Sequence, residues 1–342
     1  MEKRTSILII YTGGTIGMVN DPVTGTLVPI NFRHISDQVP ELRRFGFTLD
    51  TVTFDPVIDS SDVTPETWKA MANTIRDNYG IYDGFVVLHG TDTMAYSASA
   101  LSFMLRGLEK PVIFTGAQLP IGVLRTDGKE NLITAIEIAA EHENGLPVVP
   151  EVCIYFENRL LRGNRTVKSS SEHFNAFRSP NLPPLAEAGL QIRYNRDIIR
   201  YPTVRRPLEV ADSFDTGVAV LRLFPGIGRA AVHSVMATPG LRGLILETYG
   251  TGNAPTLPWF LEELSAFIAN GGIVLNVTQC QAGSVDMGLY ETSAGLLRAG
   301  VISGGDITTE AAVTKMMILL GSGLPADRVS SMLTRSLCGE LS

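Results

Sequence analysis

Apolar residues in the first half of the chain fall into short β-branched runs, separated by longer stretches with helical spacing. Ile7, Leu8, Ile9 and Ile10 form the first run, and comparable runs predict strands over 5–11, 50–55, 84–89, 111–115 and 151–156. Between them, "TPETWKAMANTIRDNYG" (64–80), "DTMAYSASALSFMLRGL" (92–108) and "DGKENLITAIEIAAEHENG" (127–145) read as helices. In the first of these, Thr64 suits the N-cap, Pro65 the first turn and Gly80 the end. Strands alternating with helices build a mainly parallel sheet, because parallel neighbours need a crossover connection. The predicted class is α/β: mainly parallel sheets with helices on both faces, in flavodoxin- or Rossmann-like layers.

The texture changes at about 179. "SPNLPPLAEAGLQIRYNRDIIRYPTVRRPLEVADSFD" is proline-rich and charged, with no sustained period. A second series follows, with strands near 217–223, 242–247 and 272–277 and helices near 228–238, 257–270 and 308–320. The expected organisation is a larger N-terminal domain over 1–182, a connection over 183–214 and a smaller C-terminal domain over 215–342. A length of 342 residues agrees with two domains.

Composition narrows the function classes. Hydrophobic residues make up 44% and charged residues 18%, as in a compact globular chain with many turns. The net charge of -7, without a run of Lys or Arg, excludes the basic stripe of a nucleic-acid binder, so no nucleic-acid partner is expected. The apolar run in "MEKRTSILIIYTGG" is shorter than the ~7 to 15 residues of a signal h-region. No stretch reaches the ~18 apolar residues of a membrane span. Cys153, Cys280 and Cys338 are widely spaced and form no CxxC, so they read as small buried hydrophobes. A reducing cytoplasm is the expected location, with no membrane partner.

Several motifs are set aside on their spacing. The five histidines are scattered, with no HExxH and no ligand cluster, so no metal is expected. In "GVLRTDGKE", Lys129 is followed by Glu130 rather than Ser or Thr, so it is no phosphate loop. His89 lies beside Thr91 and Asp92 but no GxSxG elbow exists, and it reads as a satisfied strand-end histidine. The main rival is "VAVLRLFPGIGRAA" (218–231). There Gly226-x-Gly228-x-x-Ala231 opens a helix, and Glu247 ends the next strand, as a dinucleotide site requires. Pro225 stiffens that loop, and Gly-rich turns of this kind also serve packing alone.

Four other clusters fall at carboxyl ends of predicted strands: "TGGT" (12–15), "DSSD" (59–62), "GTDT" (90–93) and "TGAQ" (115–118). Singly, each reads as a turn or a helix cap. Together they predict one crevice, because ligands in a doubly wound sheet bind outside the carboxyl ends of its strands. A threonine hydroxyl is a weak nucleophile and needs a proton acceptor, which a desolvated lysine can supply through a second hydroxyl. Backbone N–H groups of a Gly-rich turn can hold an oxyanion. A carboxylate such as Asp92 suits a substrate ammonium, and Ser60 with nearby N–H groups suits a carboxylate. This set describes hydrolysis of the amide of a small zwitterion by acyl transfer to a hydroxyl.

"YTGGTIG" and "DGFVVLHGTDTMAYSASALSFML" resemble the bacterial-type L-asparaginases, in particular their cytoplasmic type I branch. The resemblance continues through "DSSDVTPETW", "KPVIFTGAQLP", "RGNRTVKSSSEHFNAFRSPNLPPL", "TYGTGNAP" and "VTQCQAG", and so covers nearly the whole chain. It implies a two-domain α/β fold, hydrolysis of L-asparagine to L-aspartate and ammonia, and no cofactor. By position, Thr15 matches the nucleophile. Thr91, Asp92 and Lys168 match the second triad, Ser60 and Ser61 the substrate-binding pair, and Ala117 a wall near the scissile amide. The resemblance also implies a site shared between subunits, with Asn253 given by the neighbour, in a homodimer that can pair into a tetramer.

Two departures accompany the likeness. The family's loop tyrosine is absent from "MVNDPVTGTLVPI" (18–30), where Leu27 takes its place and Thr24 or Thr26 are the nearest hydroxyls. Cys280 matches a position of an allosteric asparagine site known in some type I enzymes. Val167 and Glu247 stand where that site has threonine and arginine, so a weak or different regulation is expected. A related amidotransferase subunit carries an extra N-terminal domain, whereas here the nucleophile loop starts at residue 11.

Overall fold

A computed structural model describes residues 4–20, 27–29, 39–288 and 291–342 of the chain, and these fall into two compact units, Met1–Val210 and Ala211–Ser342. Thr24 and Thr26 lie outside the described residues.

In the first unit, eight strands form one sheet: β1 (Ser6–Tyr11), β2 (Thr48–Thr53), β3 (Gly84–Leu88), β4 (Val112–Thr115), β5 (Val152–Phe156), β6 (Arg159–Arg162), β7 (Ala186–Ala188) and β8 (Ile192–Tyr194). Their order across the sheet is β8-β7-β6-β5-β4-β3-β1-β2. The first five strands are parallel, and β6, β7 and β8 return antiparallel. Helices α1 (Pro65–Asn78), α2 (Met94–Met104) and α3 (Gly128–Ala140) make the crossovers. The chain leaves β1 toward β2 on one side and returns to β3 on the other. That reversal is the topological switch point where such sheets open a crevice.

Burial explains the strand patterns. "GFVVL" and "VCIYF" are buried at every position, as strands covered on both faces must be. The edge strand β2, "TLDTVT", has no buried residue, and its polar composition blunts further pairing. Ile7, Ile9, Val86, Ile113, Leu132 and Ile136 belong to one apolar cluster between sheet and helix.

Helix α3 ends at Ala140, before the predicted 145. The reason is "ENG": Asn144 and Gly145 take positive φ and turn a hairpin between His142–Glu143 and Leu146–Pro147. The stretch 183–210, expected as connection, carries β7, β8 and Glu209–Val210, which pairs with Leu105–Arg106; all lie in the first unit. These strands are two or three residues long, too short to leave a periodic signature.

In the second unit, β9 (Val218–Arg222), β10 (Gly243–Thr248), β11 (Ile273–Thr278) and β12 (Ile302–Ser303) form a parallel sheet in that order. Around it run α4 (Arg229–Met236), α5 (Pro258–Ala269), α6 (Glu291–Arg298), α7 (Thr309–Gly321) and α8 (Ala326–Leu333). Its core includes Leu244, Leu246, Phe260, Leu264 and Val274. No helix among the described residues is long and apolar enough to cross a membrane.

Candidate active site

Sheet register sets the level at which the polar loops begin. Tyr11 is paired with Leu88 and with Thr53, and Leu88 with Thr115, so four adjacent strands end in one row. The clusters at Thr12–Thr15, Gly90–Thr93 and Thr115–Gln118 therefore start side by side, and the loop before Asp59–Asp62 joins them where the Ile58 N–H donates to the Thr12 carbonyl at 2.8 Å.

Two glycines let the loops nest. Gly14 has φ 89, and a Cβ placed on it would lie 2.5 Å from the Gly90 nitrogen. A Cβ on Gly90 would lie 2.5 Å from the Ser60 hydroxyl. Any side chain at either position would push the loops apart. Thr15 opens the single turn Thr15–Gly17 directly after Gly14 and is half-buried.

The hydroxyl and carboxylate that directly precede α2 are not spent on capping it, whereas Asp59 caps the turn Ser60–Asp62. Thr93 occupies the N-cap position of α2, yet its hydroxyl donates to the Ser60 carbonyl at 2.6 Å. Asp92 accepts from Lys168 Nζ at 2.5 Å, and the same Nζ donates to Thr91 Oγ1 at 2.9 Å. Ser61 is exposed, and both its N–H and its hydroxyl donate to Asp59. Those two bonds, the backbone one first, hold the Asp59 carboxyl below its ordinary range. Ser60 is buried, as is Ala117.

Lys168 arrives from far along the chain. Glu157 and Asn158 adopt positive φ in a two-residue turn that reverses β5 into β6. The turn Gly163–Arg165 then lies on α2, where a Cβ on Gly163 would be 3.0 Å from the Ala98 Cβ. Val167–Lys168, paired with Phe177–Arg178, follows. One helix thus braces both Asp92, which precedes it, and the segment that delivers Lys168.

Gln118 lies in the "TGAQ" cluster but, like Asp127, has no role of its own assigned by the sequence. Gln118 Oε1 accepts from the Thr91 hydroxyl at 3.2 Å, and its Nε2 donates to the His173 carbonyl at 3.3 Å. Asp127 accepts from the Gln118 and Leu119 amides and from Asn131 Nδ2, and so pins the "TGAQ" loop. An Asp just before a helix reads as its cap, which hides this role.

His89 is buried, and burial lowers its pKa to about 4, so the ring is neutral. Nδ1 meets the Gly90 carbonyl at 2.6 Å and Nε2 the Ser97 hydroxyl at 2.9 Å. Ser97 in turn accepts from Trp68 Nε1 at 3.0 Å. A carbonyl can only accept, so the ring proton sits on Nδ1 and Ser97 donates to Nε2. The satisfied strand-end histidine expected from the sequence is what stands there.

Asn253 lies in the second unit, on a turn after β10 where it bridges Tyr249. In the Gly226 loop, added Cβ atoms at Gly226 and Gly228 would meet no protein atom within 4 Å, so packing does not require glycine at either position. Glu247, the residue a ribose would need, is engaged by Arg222 at 3.2 Å and by the Thr309 hydroxyl at 2.7 Å. The dinucleotide reading therefore loses its carboxylate. Of the three cysteines expected to be buried, Cys153 is, with its thiol pushed up by desolvation, whereas Cys280 is exposed and Cys338 is half-buried.

The chain matches the family model "Asparaginase, N-terminal" over residues 6–200 and "Glutaminase/Asparaginase C-terminal domain" over 217–333. It is 43% identical over 361 residues to L-asparaginase 1 of Escherichia coli K12, covering 100% of this chain and 99% of that one. It is 41% identical to the human 60 kDa lysophospholipase, covering 99% of this chain but 62% of that larger protein. Among solved structures, L-asparaginase I of Vibrio cholerae superposes with a TM-score of 0.90 at 42% identity, covering 99% of this chain and 100% of that one.

Proposed function

This chain belongs to the asparaginase family, and from that premise we propose that it hydrolyses L-asparagine to L-aspartate and ammonia through an acyl-enzyme on Thr15. The observation that carries the reading is Lys168 Nζ, which donates to Thr91 Oγ1 and to Asp92 Oδ1 beside the loop of Thr15.

The steps follow from those groups. The Thr15 Oγ–H proton passes to Thr91 Oγ1 while the Thr91 proton moves on to the Lys168 amine. The Thr15 oxygen uses the electron pair left behind to bond the side-chain carbonyl carbon of asparagine. Backbone N–H groups of the Gly-rich turn hold the oxyanion. The carbon–nitrogen bond then breaks, the proton returns to the leaving nitrogen, and ammonia departs. Water, deprotonated along the same route, cleaves the ester and releases aspartate.

Asp92 holds the substrate ammonium, Ser60 and Ser61 its carboxylate, and Ala117 closes the wall near the scissile amide. Such charged and hydroxyl groups suit a small zwitterion better than a lipid chain. Asn253 of a second copy completes the site in a homodimer, free to pair into a tetramer, and the enzyme works in the cytoplasm. The larger N-terminal domain carries the catalytic clusters. Replacing Thr15 by Ala is the direct test. Ammonia release from L-asparagine should fall to background while the fold is kept, and near-normal turnover would sink the assignment.

A further inference from the structure

We propose that Tyr11 is a positioning residue for the Thr15 nucleophile: its buried phenol is the support on which the turn Thr15–Gly17 rests, and Gly17 is glycine so that the turn can sit there. The inference rests on the asparaginase reading and adds a pair of residues to which the resemblance assigned no role.

The chain doubles back on itself between Tyr11 and Gly17. Tyr11 ends β1 and, like Ile16 in the turn, is fully buried in the apolar cluster of the first unit. The Gly17 N–H donates to the Gly14 carbonyl at 3.2 Å, which closes the turn and lays Gly17 against the Tyr11 ring. A Cβ on Gly17 would lie 2.1 Å from the phenol oxygen, 2.2 Å from Cζ and 2.5 Å from Cε2. Backbone conformation does not call for the glycine, since Gly17 is not among the glycines with positive φ. The atoms that a side chain there would meet first all belong to Tyr11.

The rest of the loop is held backbone against backbone. A Cβ on Gly13 would lie 2.1 Å from the Ile58 carbonyl oxygen, Gly14 rests on Gly90, and the Ile121 N–H donates to the Ile16 carbonyl at 3.4 Å. The support at Gly17 comes from a side chain, so a substitution can remove it. Thr15 stands between Gly14 and Gly17, and a turn displaced at Gly17 carries the Thr15 hydroxyl with it. Asp92, Ser60 and Ser61, which hold the substrate, are on other loops and stay in place. Burial pushes the Tyr11 phenol up to about 12, so it is neutral near pH 7 and acts through its shape.

The test is steady-state ammonia release from L-asparagine, with thermal unfolding alongside, by the wild-type protein, Gly17→Ala, Tyr11→Leu and the double variants Gly17→Ala/Tyr11→Phe and Gly17→Ala/Tyr11→Leu. The added methyl must push the turn off the ring, and a displacement of about 1 Å at the nucleophile should lower kcat of Gly17→Ala about a hundredfold, with KM nearly unchanged. Phenylalanine keeps Cζ in the way, so Gly17→Ala/Tyr11→Phe should stay as slow. Leucine ends short of Cζ and makes room for the methyl, so Gly17→Ala/Tyr11→Leu should regain about tenfold in kcat over Gly17→Ala. A role confined to stability would move the unfolding temperature and leave kcat of the folded enzyme alone. Wild-type kcat in Gly17→Ala, or no recovery with leucine, would overturn this role alone. Ammonia release that survives Thr15→Ala would overturn the role and the nucleophile reading together. Should Gly17→Ala fail to fold, Tyr11→Leu decides: its unsupported turn should lose about tenfold in kcat at unchanged KM, and wild-type kcat there would overturn the role.

Discussion

Lys168 Nζ and Asp92 Oδ1 lie 2.5 Å apart although 76 residues separate them in the chain. The pair is partly open, with side-chain exposures of 17% and 66%, so it adds little to stability and is better understood as chemistry held ready. Replacing Lys168 by Met should remove the proton acceptor and lower kcat/KM by about a thousandfold, with Thr91→Val behaving alike. Steady-state ammonia release checks both. A Lys168→Met enzyme with normal kcat and only a raised KM would make the lysine a binding residue.

If Asn253 completes a site on the neighbouring copy, two defective variants should rescue one another. Co-expressed Thr15→Ala and Asn253→Ala chains form hybrid dimers in which one site has both intact residues. At random pairing, about a quarter of the wild-type sites should return. Activity of the mixture no higher than that of the separate variants would argue that each site is built from one chain.

Burial of His89 makes stability depend on pH. Its pKa falls from 6.5 unfolded to about 4 folded, so below pH 6.5 the unfolded chain binds a proton that the folded protein refuses. The contribution is complete above pH 6.5 and is lost as pH falls toward 4, amounting to on the order of 3 kcal/mol across that window. Urea unfolding at several pH values should show a steeper loss for the wild-type protein than for His89→Gln. Equal slopes would mean that the ring is not held neutral.

In the second unit, Lys315 Nζ and Glu340 Oε1 lie 2.6 Å apart with both side chains fully buried. Lys315 also donates to the Leu333 and Arg335 carbonyls, and Glu340 accepts from the Leu337 and Cys338 amides, so the pair ties the end of the chain to α7. Glu340→Gln leaves a buried ammonium without its counter-charge and should cost about 3 to 5 kcal/mol. Adding Lys315→Met removes that charge and should recover part of the loss. Losses that simply add, measured by urea titration, would show that the two groups do not depend on each other.

The parts of the site that the sequence displayed are those that follow a strand directly. Thr15, Thr91 and Ala117 each come just after an apolar run, Ser60 follows the polar edge strand β2 through a short loop, and a parallel sheet sends such loops to one side. Lys168 could be named by resemblance but not located by pattern. It reaches the site through a turn at Glu157 and Asn158, residues that seldom mark a two-residue reversal. The partners of Gln118, which sits in "TGAQ", and the role of Asp127 leave no pattern, because a loop glutamine and a residue before a helix have ordinary local explanations.

By itself, then, the order of apolar and polar residues determined the α/β class, the five parallel strands and the polar clusters at their ends. These depend on near neighbours in the chain, on period and on turn chemistry. Only the tertiary structure decided that Lys168 bonds Thr91 and Asp92, that Gln118 Oε1 accepts from the Thr91 hydroxyl, and that Glu247 is occupied by Arg222 and Thr309. Those choices depend on strand register and on loops that glycine lets approach, and a polar side chain finds its partner only once distant segments have been brought within about 3 Å.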